Sequence, residues 1–136
     1  MNGATAQFIS FHQDPAAYSN RHFDMLYSPI TVFRLIAELS PAGFTRRIAD
    51  LETVTTGYSV AYRETQDGYG DAGLRAAIDH ATQHAGFVGG WLDTQTGRYY
   101  FDSVRIFDNE AEAIRFGREN GQLAIWNFAD MAEIRL

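Results

Sequence analysis

Cysteine and lysine are both absent from this chain of 136 residues, and proline occurs only three times. Without cysteine there is no disulfide framework, no thiolate-ligated zinc and no thiol nucleophile, which predicts a reducing, cytoplasmic setting. Without lysine, all eleven cations are arginine. A genome rich in G and C accounts for that bias more simply than a need for arginine's planar fork. Positive charge is itself in short supply. Seventeen acidic residues give a net charge of −6, which repels phosphate backbones and argues against direct nucleic-acid binding. No apolar run approaches the roughly 18 residues of a membrane span. Residues 1–7 have neither the basic nor the apolar segment of a secretory signal. The expectation is a chain neither exported nor embedded, with no membrane partner.

Apolar material is plentiful by contrast. Hydrophobic residues make up 46% and aromatics 14%, as ten Phe, seven Tyr and two Trp. That is enough for one packed domain without metal or disulfide staples.

Residues 1–23 mix polar groups with Phe8, Ile9, Phe11, Tyr18 and Phe23 and have no sustained period, so they read as a loosely ordered arm that packs in part. Ile30, Phe33 and Ala37 lie on one helical stripe, with Ser28 as N-cap, Pro29 in the first turn, and a stop near Pro41 and Gly43. Residues 44–48 and 54–62 are rich in β-branched and aromatic side chains and predict a β-hairpin, with Gly57 marking a bulge or close backbone approach. Residues 66–70 carry the strongest loop signal. Asp71 then reads as the N-cap of a helix reaching Ala85, whose stripe is Leu74, Ala77, Ile78 and Ala81. After Gly86, residues 87–92 and 98–107 predict a second hairpin. Asn109 and Glu112 form a capping box for a helix ending at Asn120 and Gly121. Residues 123–126 read as a buried strand and 133–136 as a short last one. The whole predicts an α+β domain, a mainly antiparallel sheet of hairpins with helices packed on one face. Its expected core includes Phe33, Leu74, Ile78, Trp91, Phe101, Val104, Ile114, Leu123 and Ile125.

Little in this frame has the spacing of a reaction centre. His80 and His84 stand four apart on a helix, as two ligands of one metal do, but no third ligand accompanies them, and they read as solvated histidines on the helix flank. Glu64, Asp67 and Asp71 surround the glycine-rich turn, where converging carboxylates would hold a hard cation or supply an acid and a base. A turn former and a helix cap account for two of them. Gly68, Gly70 and Gly73 do not make a phosphate loop, because no preceding strand and no lysine go with them. Asp102 interrupts an apolar strand. Facing a pocket it would be a catalytic base with a raised pKa, but pairing with Arg98 or Arg105, or facing water, is the simpler expectation. Trp91 and Trp126 sit in apolar runs and read as core. Tyr58, Tyr62, Tyr69, Tyr99 and Tyr100 suit a contact surface that is partly wet. No catalytic residue, metal or cofactor is assigned.

The runs Thr56-Gly57-Tyr58-Ser59-Val60, Gly89-Gly90-Trp91 and Tyr99-Tyr100-Phe101-Asp102 are followed by Ala113-Ile114, Phe116-Gly117-Arg118, Gln122-Leu123-Ala124-Ile125 and the ending Glu133-Ile134-Arg135-Leu136. In this order, over about residues 43–136, the chain resembles small uncharacterised accessory proteins carried by phages, plasmids and conjugative elements. The resemblance brings no catalytic residue with it. It implies an accessory protein acting in the host cytoplasm, of the anti-CRISPR-like kind that blocks a host nucleic-acid-binding or defence complex. The expected partner is a host protein or ribonucleoprotein with a basic surface, contacted through Glu64, Asp67, Tyr69 and Asp71. The competing expectation is a small hydrolase or transferase using Asp102 or the Glu64, Asp67 and Asp71 carboxylates.

Overall fold

The computed structural model describes residues 28–136. The expected arm at residues 1–23 lies outside the described residues. Helix α1 spans Pro29–Glu38, starting where extended Ser28 meets a proline whose missing N–H and fixed φ suit a first turn. Strands β1 (Phe44–Arg47) and β2 (Tyr58–Ala61) follow, then a 3-10 turn at Arg63–Thr65 and helix α2 at Gly70–Thr82. Strands β3 (Phe87–Asp93) and β4 (Arg98–Phe107) form a hairpin. Helix α3 (Glu110–Glu119) and strands β5 (Ala124–Asn127) and β6 (Ala132–Arg135) complete the chain. Asn109 caps α3 as expected, its side-chain oxygen accepting the Glu112 N–H at 2.9 Å.

The strands make one antiparallel sheet of six, in the order β1-β3-β4-β2-β5-β6. This is the expected α+β class, but the first expected hairpin is corrected. β1 and β2 do not pair with each other: β1 takes the outer edge of β3, and β2 takes the far edge of β4. The segment after β1 folds back on it only as far as Val54, through a bridge between Arg46 and Thr53 and the N–H groups of Arg47 and Val54, which donate to the carbonyls of Glu52 and Thr45. The long strand β4 explains the outcome, since it offers an edge on each side, and β2 fills the one that β3 leaves open. Gly57, at φ 85, lets the chain enter β2 tight against the carbonyl of Phe107, where a side chain would collide.

Alternation along the strands divides the sheet into two faces. Val88, Gly90, Phe101, Ser103, Val60, Phe107 and Ile125 point toward the helices, as their partners and packing show. Phe33, Ile36 and Ala37 of α1 join Leu74, Ala77, Ile78 and Ala81 of α2 over Val88 and Phe101. A second cluster gathers Val60, Phe107, Ala113 and Ile125 under α3. The opposite, open face carries Trp91, Tyr100, Asp102, Val104 and Ile106 with Ser59 and Trp126, and none of the described helices packs on it. Two expected core residues are therefore corrected. Trp91 is half exposed because its position alternates onto the open face. Leu123 is 75% exposed because β5 begins one residue after it.

Candidate functional site

The open face is most distinctive at the loop end of the β3–β4 hairpin. Beyond Ala61, β2 no longer runs beside β4, and the segment through the 3-10 turn takes over the bonding. Tyr62 N–H donates to the Ser103 carbonyl, Ser103 N–H donates to Thr65 Oγ1, and Phe101 N–H donates to the Gly68 carbonyl. A bridge between Tyr69 and Tyr100 extends this seam. Asp67, in the left-handed region at φ 66, makes the turn that brings Gly68 and Tyr69 against β4. The seam is why a loop residue and strand residues come together.

Three rings meet there. Trp91 and Tyr100, cross-strand partners, stack with centroids 4.9 Å apart and planes 18° apart. Tyr69 meets Tyr100 edge-on at 5.8 Å, and the Arg98 guanidinium lies 4.2 Å over the Tyr69 ring. Trp91 is 50% exposed and Tyr69 45%. Beside them, two residues along β4, is Asp102. Burial, with the nearby Asp67 charge adding to it, pushes its carboxyl from 3.8 up to about 7. This corrects the expected ion pairing or hydration of Asp102. Arg98 is engaged with Tyr69, and Arg105 points to the helix face over Phe107 and Phe116. Trp126 is also corrected: it alternates onto the open face and is more than a third exposed.

The four residues singled out as a contact surface separate. Tyr69 joins the aromatic platform and Asp67 lies by Asp102. Asp71 is not the cap of α2 but lies within its first turn, with Tyr69 at the cap position. It receives a two-pronged hydrogen bond from Arg34 of α1, which holds its carboxyl below the ordinary range. Glu64 faces His80, with its Oε1 3.4 Å from Nε2. The three carboxylates thus do not converge on one point.

His80 is corrected from a solvated flank residue to part of the interior. Its Nδ1 lies 2.8 Å from Ser103 Oγ, and its ring stacks on His84 at 3.8 Å and 4°. Burial and the neighbouring His84 hold His80 below its usual 6.5, against the pull of Glu64. His84 Nδ1 lies 2.8 Å from the His80 carbonyl, and Tyr62 packs on both rings. Ser103, His80 and Glu64 follow one another as a nucleophile, base and acid would, but Ser103 is fully buried in the helix face. The arrangement is a structural polar network, closed to any substrate. Among the described residues, no group of three or more His, Cys, Asp or Glu is placed to hold a metal ion. Nor does any helix among them have the length and apolarity to cross a membrane.

Trp91 and Arg98 were not assigned to a site from sequence, yet a signal was available. Counting outward from the turn closed by Gly97 pairs Asp93 with Arg98 and hence Trp91 with Tyr100. Compared with protein-family models, curated proteins and solved structures, the chain matches none of them.

Proposed function

We propose that the protein acts by stoichiometric binding to a cationic protein surface, in the manner of a phage or mobile-element accessory protein that inhibits a host nucleic-acid-binding or defence complex. The observation that carries this reading is the exposed Trp91–Tyr100–Tyr69 platform with Asp67 and Asp102 beside it. Flat aromatic faces and carboxylates together suit arginine side chains of a partner, which stack on rings and pair with acids. Exposed Trp and Tyr are the residues that most often anchor protein contacts. The net charge of −6 draws such a partner in and disfavours bare nucleic acid. Glu64 and Asp71, each already facing an internal partner, belong to the fold more than to the contact.

A second reading has one observation in its favour. A carboxyl that titrates near 7 is suited to general acid or base chemistry at neutral pH, which keeps Asp102 in view as the centre of a small hydrolase or transferase. A calorimetric titration with an arginine-rich peptide separates the two. The binding reading expects saturation at a fixed ratio, weakened by Trp91→Ala and by Asp67→Asn and indifferent to Asp71→Asn. Binding that ignores Trp91→Ala overturns the platform. Turnover of a substrate, abolished by Asp102→Asn, replaces binding with catalysis.

A further inference from the structure

We propose that the outer edge of β6 is a self-pairing surface, where two copies of the chain join as antiparallel strands across a two-fold axis. β6 ends the sheet, and among the described residues no strand lies beyond it. Its inner side is in use. Leu136 N–H donates to the Leu123 carbonyl, and antiparallel spacing then turns the N–H and C=O groups of Ile134 and Ala132 inward as well, toward Ile125 and Asn127. Those of Glu133 and Arg135 therefore point outward, as a template for another strand. The opposite edge of the sheet is not equivalent, because Val54 and Glu52 take the Thr45 carbonyl and the Arg47 N–H of β1.

The charge pattern of this edge commits it to a second copy. Glu133 and Arg135 lie two residues apart on the open face, with side chains 59% and 76% exposed, and within one copy they approach only to 3.9 Å. Pairing centred on Ile134 sets Glu133 opposite the partner's Arg135, and Arg135 opposite the partner's Glu133. Each of these two pairs exchanges both its N–H···O bonds, and Ile134 meets its own copy on the helix face. Slipping by two residues in either direction sets Glu133 against Glu133 or Arg135 against Arg135. Like charges directly opposite destabilise a strand pair, so charge selects the one register. An edge guarded against its own kind carries a single sign of charge, which meets itself in every register; Glu133 and Arg135 do the reverse. Exposed apolar groups border the strand, with Met131 just before it and Trp126 opposite Glu133 on the same face. β6 is three places along the sheet from β4, so this pairing neither uses the aromatic platform nor depends on the partner proposed for it.

Sedimentation equilibrium of the full chain, over a concentration series reaching about 1 mM, tests the pairing. The native chain is expected to dimerise. Glu133→Arg and Arg135→Glu should each weaken the dimer by about tenfold or more, because each turns two attractions into two repulsions. The double variant carrying both changes should regain it. Mixing the two single variants should raise the average mass above that of either alone, since one presents only arginine at the edge and the other only glutamate. Amide hydrogen exchange in the native chain adds a readout that needs no variant: rising concentration should slow the Glu133 and Arg135 amides far more than those of Ala132 and Ile134, which already face β5. A native chain that stays monomeric throughout, a dimer equally tight in every variant, or single variants that do not rescue each other on mixing overturns the proposal. So does slowing of exchange that shows no preference for Glu133 and Arg135.

Discussion

At the scale of single residues, Asp102 is where the fold and ordinary solution chemistry disagree most. A carboxyl on a strand between Phe101 and Ser103 is carried to the open face by alternation, and its surroundings there exclude enough water to favour the neutral acid. Its folded pKa of about 7 lies above the unfolded 3.8, so the folded state holds the proton more tightly. The stability this confers is full below 3.8 and is lost as pH rises through about 7. Asp102→Asn removes that dependence. Measured by denaturant unfolding, the variant gains on the native chain steadily between those two values, by at most about 4 kcal/mol. A difference that stays constant with pH means that the carboxyl is hydrated after all. The native chain alone would hide part of the effect. His80, held below 6.5 chiefly by its burial, loses stability as pH falls and so slopes the opposite way.

At the scale of elements, local signals were legible and long-range pairing was not. The Asn109 cap and proline in the first turn of α1 each act within a few residues, and each lies where sequence places it, whereas α2 stops at Thr82, with Gln83 at its C-cap, instead of reaching Ala85. The separation of β1 from β2 was hidden because it depends on how β4 shares its two edges, which no neighbouring residue encodes. The site followed the same rule. Asp67 and Tyr69 were found as turn residues, whereas the platform formed only when that turn met β4 through the Phe101 to Gly68 bond. Gly73 of α2 makes this meeting possible, since a β-carbon there would overlap the backbone of Gly68. Alanine normally improves a helix interior by about 1 kcal/mol over glycine. Overlap with rigid backbone costs about 1–3 kcal/mol and outweighs it. Gly73→Ala is therefore expected to lower the melting temperature and to weaken peptide binding together, as the loop is pushed off β4. A variant as stable as the native chain would show that the loop gives way freely and is not what positions Tyr69.

At the scale of the whole molecule, the proposed binding gives charge and platform separate parts: charge governs how a partner arrives and the platform where it stays. The excess of acids over arginines acts over a Debye length of about 8 Å at physiological salt, so it accelerates encounter with a cationic surface more than it strengthens the final contact. Where that charge is already matched internally it contributes little at short range, as at Asp71 beneath the Arg34 fork. Asp67 is different: it stands at the margin of the aromatic platform, in a left-handed turn that asparagine adopts as readily as aspartate. Asp67→Asn therefore removes charge while keeping the turn, which an arginine at that position would strain. The comparison to make is the association rate with an arginine-rich target for the native chain, Asp67→Asn and Asp71→Asn over a salt series. Association should slow as salt rises for all three. Asp67→Asn should start slower and lose its deficit at high salt, while Asp71→Asn should follow the native curve. Equal rates for the three at low salt would remove Asp67 from the encounter surface. An association rate that does not change with salt would set aside electrostatic steering and leave the exposed rings of Trp91 and Tyr69 to carry recognition by contact alone.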